Sequence, residues 1–144
     1  MALFSLTVEV LLIEDDPGDE LMTREAFSEV GSRLHVARDG EEALDFLYRR
    51  GKHRQAPRVD LVLLDLGLPK QDGRKILAQI REDPQLTHLP VVVLTASSAE
   101  ADIATSYQLH ANAYITKPTD MNQFLDTVRR IDEFFLSVVR LPRA

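Results

Sequence analysis

Four places along the chain carry residues whose types could do chemistry together, and each stands where an apolar run stops. The run "VEVLLI" (8–13) leads into Glu14, Asp15 and Asp16, and "VDLVLL" (59–64) stops at Asp65. The run "PVVVLT" (90–95) ends on the Thr95 hydroxyl, and "AYIT" (113–116) is followed by Lys117 and Pro118. Taken singly, each has an ordinary structural explanation: "EDDP" as a helix-entry cap, Thr95 as a strand former, Lys117 as a solvated surface charge. Taken together, they are carboxylates, a hydroxyl and an ammonium. Clustered carboxylates repel and would rise in pKa unless a cation sits among them. An oxygen-only donor set suits a hard divalent ion such as Mg²⁺. Lys117 offers a compact positive charge on a flexible stem, suited to a phosphoryl oxygen. Asp65 is the candidate nucleophile, because carboxylates form acyl-phosphates.

The elements that must position these groups are legible as alternating patterns. With "LHVA" (34–37), five short runs rich in Val, Leu and Ile read as strands, mostly continuous rather than alternating, which favours a sheet covered on both faces. Between them lie amphipathic stretches. The first is predicted over about 18–30, with Leu21, Phe27 and Val30 apolar and Gly31 as its stop. In "DGEEALDFLYRRG", Asp39 and Glu42 have capping-box spacing and Gly51 closes the helix. The third, "GRKILAQIRED", is stopped by Pro84. The fourth opens at "SSAE", with Ser97 and Glu100 in capping-box spacing, and runs to about His110. The fifth begins near Thr119 and continues past Arg130. A strand–helix order repeated five times predicts a single α/β domain built on an open parallel sheet. Ligands of such sheets bind beyond the carboxyl ends of the strands, where all four groups fall.

Composition narrows the function classes. The chain has 144 residues, 44% hydrophobic and 28% charged, with a formal net charge of −6. That describes a globular domain able to bury its own core and unsuited to nucleic acid. Its one basic run, "RRGKHR" (49–54), has no interleaved aromatic residues and reads as a solvated loop. The absence of cysteine excludes disulfides and thiolate chemistry. The four histidines show no ligand spacing, and the six glycines form no phosphate-cradling loop. The start lacks the basic region and cleavage site of a signal peptide, no run reaches membrane-helix length, and the cytoplasm is the default compartment.

The succession "EDDP", "LLDLGLPKQDG", "LTAS", "ITKP" resembles the receiver domain of two-component response regulators, over about residues 8–132. "IEDDPGDELMTREAF", "VARDGEEALDFLYRRG" and "IDEFFLSVVRLP" are most similar to single-domain regulators that serve phytochrome-type histidine kinases. The resemblance implies a doubly wound, flavodoxin-like five-stranded sheet in the order 2-1-3-4-5, with helices on both faces. It implies that Asp65 is the phosphoacceptor, that Asp16 assisted by Asp15 binds Mg²⁺ with Asp65, and that the Gly67 backbone carbonyl completes the metal site. Thr95 is implied to be the switch hydroxyl, with Ala96 leaving room for the phosphoryl group. Lys117 is implied to bind that group, its bond to Pro118 to be cis, and Tyr114 to be the aromatic that turns inward when Thr95 moves. Gly67 and Ser97 fall at positions that tune acyl-phosphate hydrolysis in the family.

The last helix carries Phe124, Val128, Ile131, Phe135 and Val138 in steps of four and three, as a core-facing stripe should. Beyond Arg130, apolar residues lie on too many sides for packing alone. Related phytochrome regulators dimerise through this region, so Phe134, Phe135, Val138, Val139 and Leu141 are expected to join a homodimer. The chain ends soon after this helix, so its expected output is protein contact, or phosphate flow to a downstream phosphotransfer protein. An aspartate-nucleophile phosphatase is the main alternative, but those enzymes want a second acidic residue two positions after the nucleophile, where Gly67 stands. A flavin-binding module should carry a Ser/Thr/Gly-rich loop after the first strand, where "EDDPGD" stands. A receiver-like scaffold that never takes phosphate should show degraded motifs, and these are intact.

Overall fold

The computed structural model describes residues 8–68 and 72–134. Five strands, β1 (Glu9–Ile13), β2 (Arg33–Ala37), β3 (Leu61–Leu64), β4 (Val91–Thr95) and β5 (Ala113–Thr116), form one sheet in the order β2-β1-β3-β4-β5. All four pairings are parallel. The crossovers are α1 (Pro17–Phe27), α2 (Gly40–Tyr48), α3 (Gly73–Glu82) and α4 (Glu100–Gln108), and α5 (Met121–Ile131) follows β5. This is a flavodoxin-like doubly wound sheet, with the strand order expected above.

The unbroken apolar strands have the physical consequence foreseen for them, since successive side chains feed two separate cores. Leu11, Ile13, Val62 and Leu64 meet Phe46 of α2 and Ile76, Leu77 and Ile80 of α3. Val10, Leu12, Leu61 and Leu63 meet Phe27 of α1 and Phe124, Val128 and Ile131 of α5. Each such side chain contributes about 1.5–3 kcal/mol by leaving water. These cores hold β1, β3 and β4 in register, and the register aligns the strand ends: Ile13 pairs with Leu64, and Leu64 with Val93.

Several local expectations are revised by tertiary contact. In α1 the buried positions are Thr23, Ala26 and Phe27, whereas Leu21 is 59% exposed. The helix ends at Phe27, before Gly31. Asp39 caps α2 by accepting from the Glu42 N–H at 2.8 Å, but Glu42 reaches back to the Arg38 N–H, one residue before the cap. The stop of α2 is Arg49, left-handed at φ 54°, and Gly51, also at positive φ, opens a single 3₁₀ turn, Gly51–His53. The fourth helix has no capping box: Ala99 is its cap, and the Ser97 hydroxyl donates instead to Asp102 at 2.6 Å. No peptide bond among the described residues is cis, so the Lys117–Pro118 bond is trans, contrary to the expectation from the resemblance. Trans is the lower-energy isomer by about 0.5–1 kcal/mol before proline, and the Lys117 N–H already reaches the Thr95 carbonyl at 2.7 Å. Past Arg130, Ile131 of the stripe is buried and Phe134, one of the residues expected in a homodimer, is 55% exposed, while Phe135, Val138, Val139 and Leu141 lie outside the described residues.

Glu42 also carries a measurable consequence. Burial works to raise its pKa, but the Arg38 N–H, Lys52 and His53 outweigh it and bring the carboxyl from 4.5 down to about 2. A depressed carboxylate stabilises the fold above its ordinary value and loses that contribution as pH falls towards the folded one. With Lys52 largely exposed, the contribution is on the order of 1–2 kcal/mol. Urea midpoints at about pH 6 and about pH 3 should differ less in Glu42→Gln than in the unaltered protein. An equal difference in both would show that Glu42 does not drive acid loss of stability.

Candidate functional site at the carboxyl ends of the strands

Strand register brings the chemically capable residues to one end of the sheet. The Asp65 N–H donates to the Ile13 carbonyl at 3.1 Å, which places Asp65 beside Glu14 just past the last strand pair. The Lys117 N–H on the Thr95 carbonyl does the same for β5 against β4. Behind Asp65, α3 packs on the backbone itself. A Cβ at Gly73 would lie 2.5 Å from the Asp65 carbonyl oxygen and 2.7 Å from Leu66 Cα, an approach only glycine permits.

The side chains converge on Asp65. Its Oδ1 accepts from the Thr95 hydroxyl at 2.9 Å and from the Gly67 N–H at 3.0 Å, and its Oδ2 accepts from Lys117 Nζ at 2.9 Å. The same ammonium donates to Asp19 at 2.8 Å and, at very short range, to Glu14. Glu14 is 1% exposed and Asp65 8% exposed, so their contacts with Lys117 are buried ionic contacts rather than surface pairs, while Asp19 is half-buried. Burial pushes the Glu14 carboxyl up to about 7; Lys117 pulls it back and the neighbouring Asp65 adds to the rise. Burial acts on Asp65 in the same direction, but the Gly67 N–H, a hydrogen bond with Glu14 and the Lys117 ammonium outweigh it and hold Asp65 below its ordinary range. Lys117 is raised: burial opposes its charge, but the Asp19, Glu14 and Asp65 carboxylates more than compensate. The electrostatic result is an ionised Asp65, a charged Lys117 and a Glu14 poised near neutrality.

Carboxylate oxygens of Glu14, Asp15 and Asp65 come within 4.8 Å of one another. Asp16, which the resemblance implied as a ligand, is not in this group. It is exposed and is the N-cap of α1, accepting from the Asp19 N–H at 3.0 Å. The signal was available in the sequence: an Asp immediately before a proline at the first helical position is a cap arrangement. The acids that come together with Asp65 are therefore Glu14 and Asp15. Asp19 was missed altogether. It lies one helical turn after Asp16, on the face that turns towards Lys117. Three buried or half-buried carboxylates without nitrogen or sulfur donors fit a hard divalent cation.

Thr95 is buried, Ala96 beside it is exposed, and Gly67 lies exposed at the mouth of the site. Tyr114 is half-buried against the Leu11–Ile76 core, and its hydroxyl donates to the Ser97 carbonyl at 2.8 Å. The ring thus stands inward, tied to the segment that follows Thr95.

A family model described as the response regulator receiver domain matches residues 10–129. Response regulator Rcp1 of Synechocystis sp. is 42% identical over 137 residues, which covers 94% of this chain and 93% of that protein. Among solved structures, that of the phosphorylated cyanobacterial phytochrome response regulator RcpA matches with a TM-score of 0.91 at 44% identity, covering 96% of this chain and all of that one. The Mn²⁺-bound form of Rcp1 matches with a TM-score of 0.88 at 40% identity, over 94% of this chain and 99% of that one. The acidic strand-end cluster, the strand order and these similarities agree: the chain belongs to the response regulator receiver family and is a phosphoacceptor regulator of two-component signalling.

Proposed function

We propose that Asp65 is the residue that takes the phosphoryl group, from the phosphohistidine of a phytochrome-type histidine kinase. The observation that carries this is the environment of its carboxylate: ionised, held on Oδ1 by Thr95 and Gly67, and facing Lys117 on Oδ2. A nucleophilic oxygen fixed on a strand end needs little reorganisation to attack in line. Glu14, Asp15 and Asp65 would hold Mg²⁺, with the Gly67 carbonyl as a further oxygen donor; when bound, the ion neutralises charge on the transferring group. Lys117 meets the phosphoryl oxygens as a fixed ammonium, and Thr95 donates its hydroxyl to one of them. The new dianionic group then biases the Thr95–Tyr114 pair and with it the face formed by α4, β5 and α5. The partner class rests on the similarity to phytochrome response regulators. Onward transfer to a phosphotransfer protein is compatible with the same acyl-phosphate.

The test is incubation with acetyl phosphate and Mg²⁺ followed by intact-mass measurement. The protein should gain the mass of one phosphoryl group and Asp65→Asn should gain none. Equal labelling of the variant would defeat the assignment.

The homodimer reading rests on the apolar sequence "FFLSVVRL" (134–141) and on the exposure of Phe134. Removing the residues after Asp132 leaves the buried Ile131 in place and should yield a monomer by light scattering. An unchanged mass would exclude that segment as the interface.

A further inference from the structure

The position of Ser97 is set by a chain of polar contacts that begins at the backbone of Asp65. Gly73 is wedged onto that backbone, with its N–H on the Leu66 carbonyl at 3.1 Å, so the next residue, Arg74, is placed rigidly relative to Asp65. The Arg74 guanidinium donates to Asp72 at 2.8 Å and forms a close ion pair with Asp102 in the first turn of α4. Both side chains of that pair are less than a third exposed, at 31% and 23%, so it is sheltered compared with an ordinary surface pair. The second oxygen of Asp102 accepts from the Ser97 hydroxyl at 2.6 Å, and that hydroxyl accepts from the Ala99 N–H at 3.3 Å. With its side chain fixed, Ser97 turns its carbonyl to the Tyr114 hydroxyl at 2.8 Å. Two residues earlier, Thr95 donates to Asp65.

We propose that Arg74 and Asp102 form a clamp that sets Ser97 as the acceptor for Tyr114, making them positioning residues for phosphorylation of Asp65. The clamp ties α3, which rides on the phosphoacceptor's own backbone, to α4 and to the segment between Thr95 and the inward tyrosine. It explains why Ser97 leaves its capping position: the hydroxyl that would have capped α4 is drawn to Asp102 instead. Neither Arg74 nor Asp102 touches Asp65, so they act only through the population of the arrangement with Thr95 on Asp65 and Tyr114 inward. By linkage, lowering that population lowers the tendency of Asp65 to carry phosphate by the same factor. The clamp rests on Asp65 being the acceptor, but its effect on Tyr114 is observable without phosphate.

The experiment uses the full chain with fluorotyrosine in place of its three tyrosines, the Tyr114 signal being assigned with Tyr114→Phe. Arg74→Ala, Asp102→Ala, Asp102→Asn and the double alanine variant are compared with the unaltered protein. In the absence of phosphate, the Tyr114 fluorine signal should move or broaden in each variant, while folding is checked by near-ultraviolet circular dichroism. At fixed acetyl phosphate and Mg²⁺, the ratio of phosphorylated to unphosphorylated chain should fall by roughly threefold to tenfold. The double variant should be no worse than either single one, because both residues act through one clamp. Asp102→Asn keeps an acceptor for Ser97 with little change in shape, and should give a smaller shift if the alanine variants fold poorly. An unmoved Tyr114 signal, or additive losses in the double variant, would overturn the clamp. If the unaltered protein takes no phosphate, the Asp65 reading fails instead, and the fluorine signal still decides the clamp.

Discussion

Gly73→Ala is expected to lower the thermal midpoint by about 4–8 °C and to slow phosphorylation at least tenfold. The new Cβ would overlap the Asp65 carbonyl oxygen and Leu66 Cα, at 2.5 Å and 2.7 Å, and both are backbone atoms that no rotamer change can move. Relief requires α3 to back away from the end of β3. That strains the Leu66 carbonyl–Gly73 hydrogen bond and loosens Ile76, Leu77 and Ile80 in their core. Overpacking of this kind costs about 1–3 kcal/mol, and alanine's better helix propensity returns less than about 1 kcal/mol. The thermal shift follows at roughly 4 °C per kcal/mol for a domain of this size. Because the crowded atoms are the Asp65 carbonyl oxygen and the Cα of the next residue, the carboxylate loses its alignment with Thr95 and Lys117. Gly31→Ala is the matched control: its Cβ would meet nothing within 4 Å, and its stability should be unchanged. Calorimetry of the two variants checks this, and equal midpoints would show that α3 does not bear on the phosphoacceptor strand.

Lys117→Met should have the second large effect, and its cost in stability should depend on pH and on metal. Lys117 is the cation shared by Glu14, Asp19 and Asp65. Without it, two buried carboxylates face each other, which costs on the order of 2–4 kcal/mol when both are ionised. A proton on Glu14 removes the repulsion, and burial has already raised Glu14 to about 7. A carboxyl raised in the folded state favours folding at low pH and loses that advantage as pH rises through its folded value. The variant should therefore approach the stability of the unaltered protein near pH 5 and fall clearly below it near pH 8. Magnesium should then stabilise the variant more than the unaltered protein, since it meets the same carboxylates without a competing ammonium. Phosphorylation from acetyl phosphate should nevertheless drop by at least tenfold, because the phosphoryl oxygens lose their fixed positive charge. Urea midpoints with and without Mg²⁺ at the two pH values measure this. A variant as stable as the unaltered protein near pH 8 without magnesium would mean that Lys117 does not hold the carboxylates together.

Much of this architecture could be read from residue order, for a physical reason. Strands covered on both faces must be apolar throughout, so "VEVLLI" and "PVVVLT" announce themselves, and the first charged or hydroxyl residue after each run marks the rim. Asp65, Thr95 and Lys117 were accessible in that way, and the structure brings all three together. What stayed hidden depended on contacts between distant segments. Asp19 belongs to the site only because α1 turns that carboxylate towards Lys117, ninety-eight residues away. Ser97 looked like a cap until Asp102 and Arg74 took its hydroxyl. Leu21 looked like core from helical spacing, but α1 rolls to bury Thr23 and Ala26 instead. The capping role of Asp16 is of another kind. Strand β1 ends at Ile13, so the first of the three acids follows the strand directly and the third is left to cap the helix before Pro17. That register was legible from the proline alone.

The most direct measurement traps the phosphoryl linkage where it forms. The protein is treated with acetyl phosphate and Mg²⁺, the acyl-phosphate is reduced with borohydride, and peptide mass spectrometry locates the altered side chain. The expected result is conversion of Asp65 and of no other carboxylate, with Glu14, Asp15 and Asp19 intact. Conversion at one of those three instead, or none anywhere under conditions where the protein is folded and magnesium is bound, would contradict the assignment of Asp65 as the phosphoacceptor.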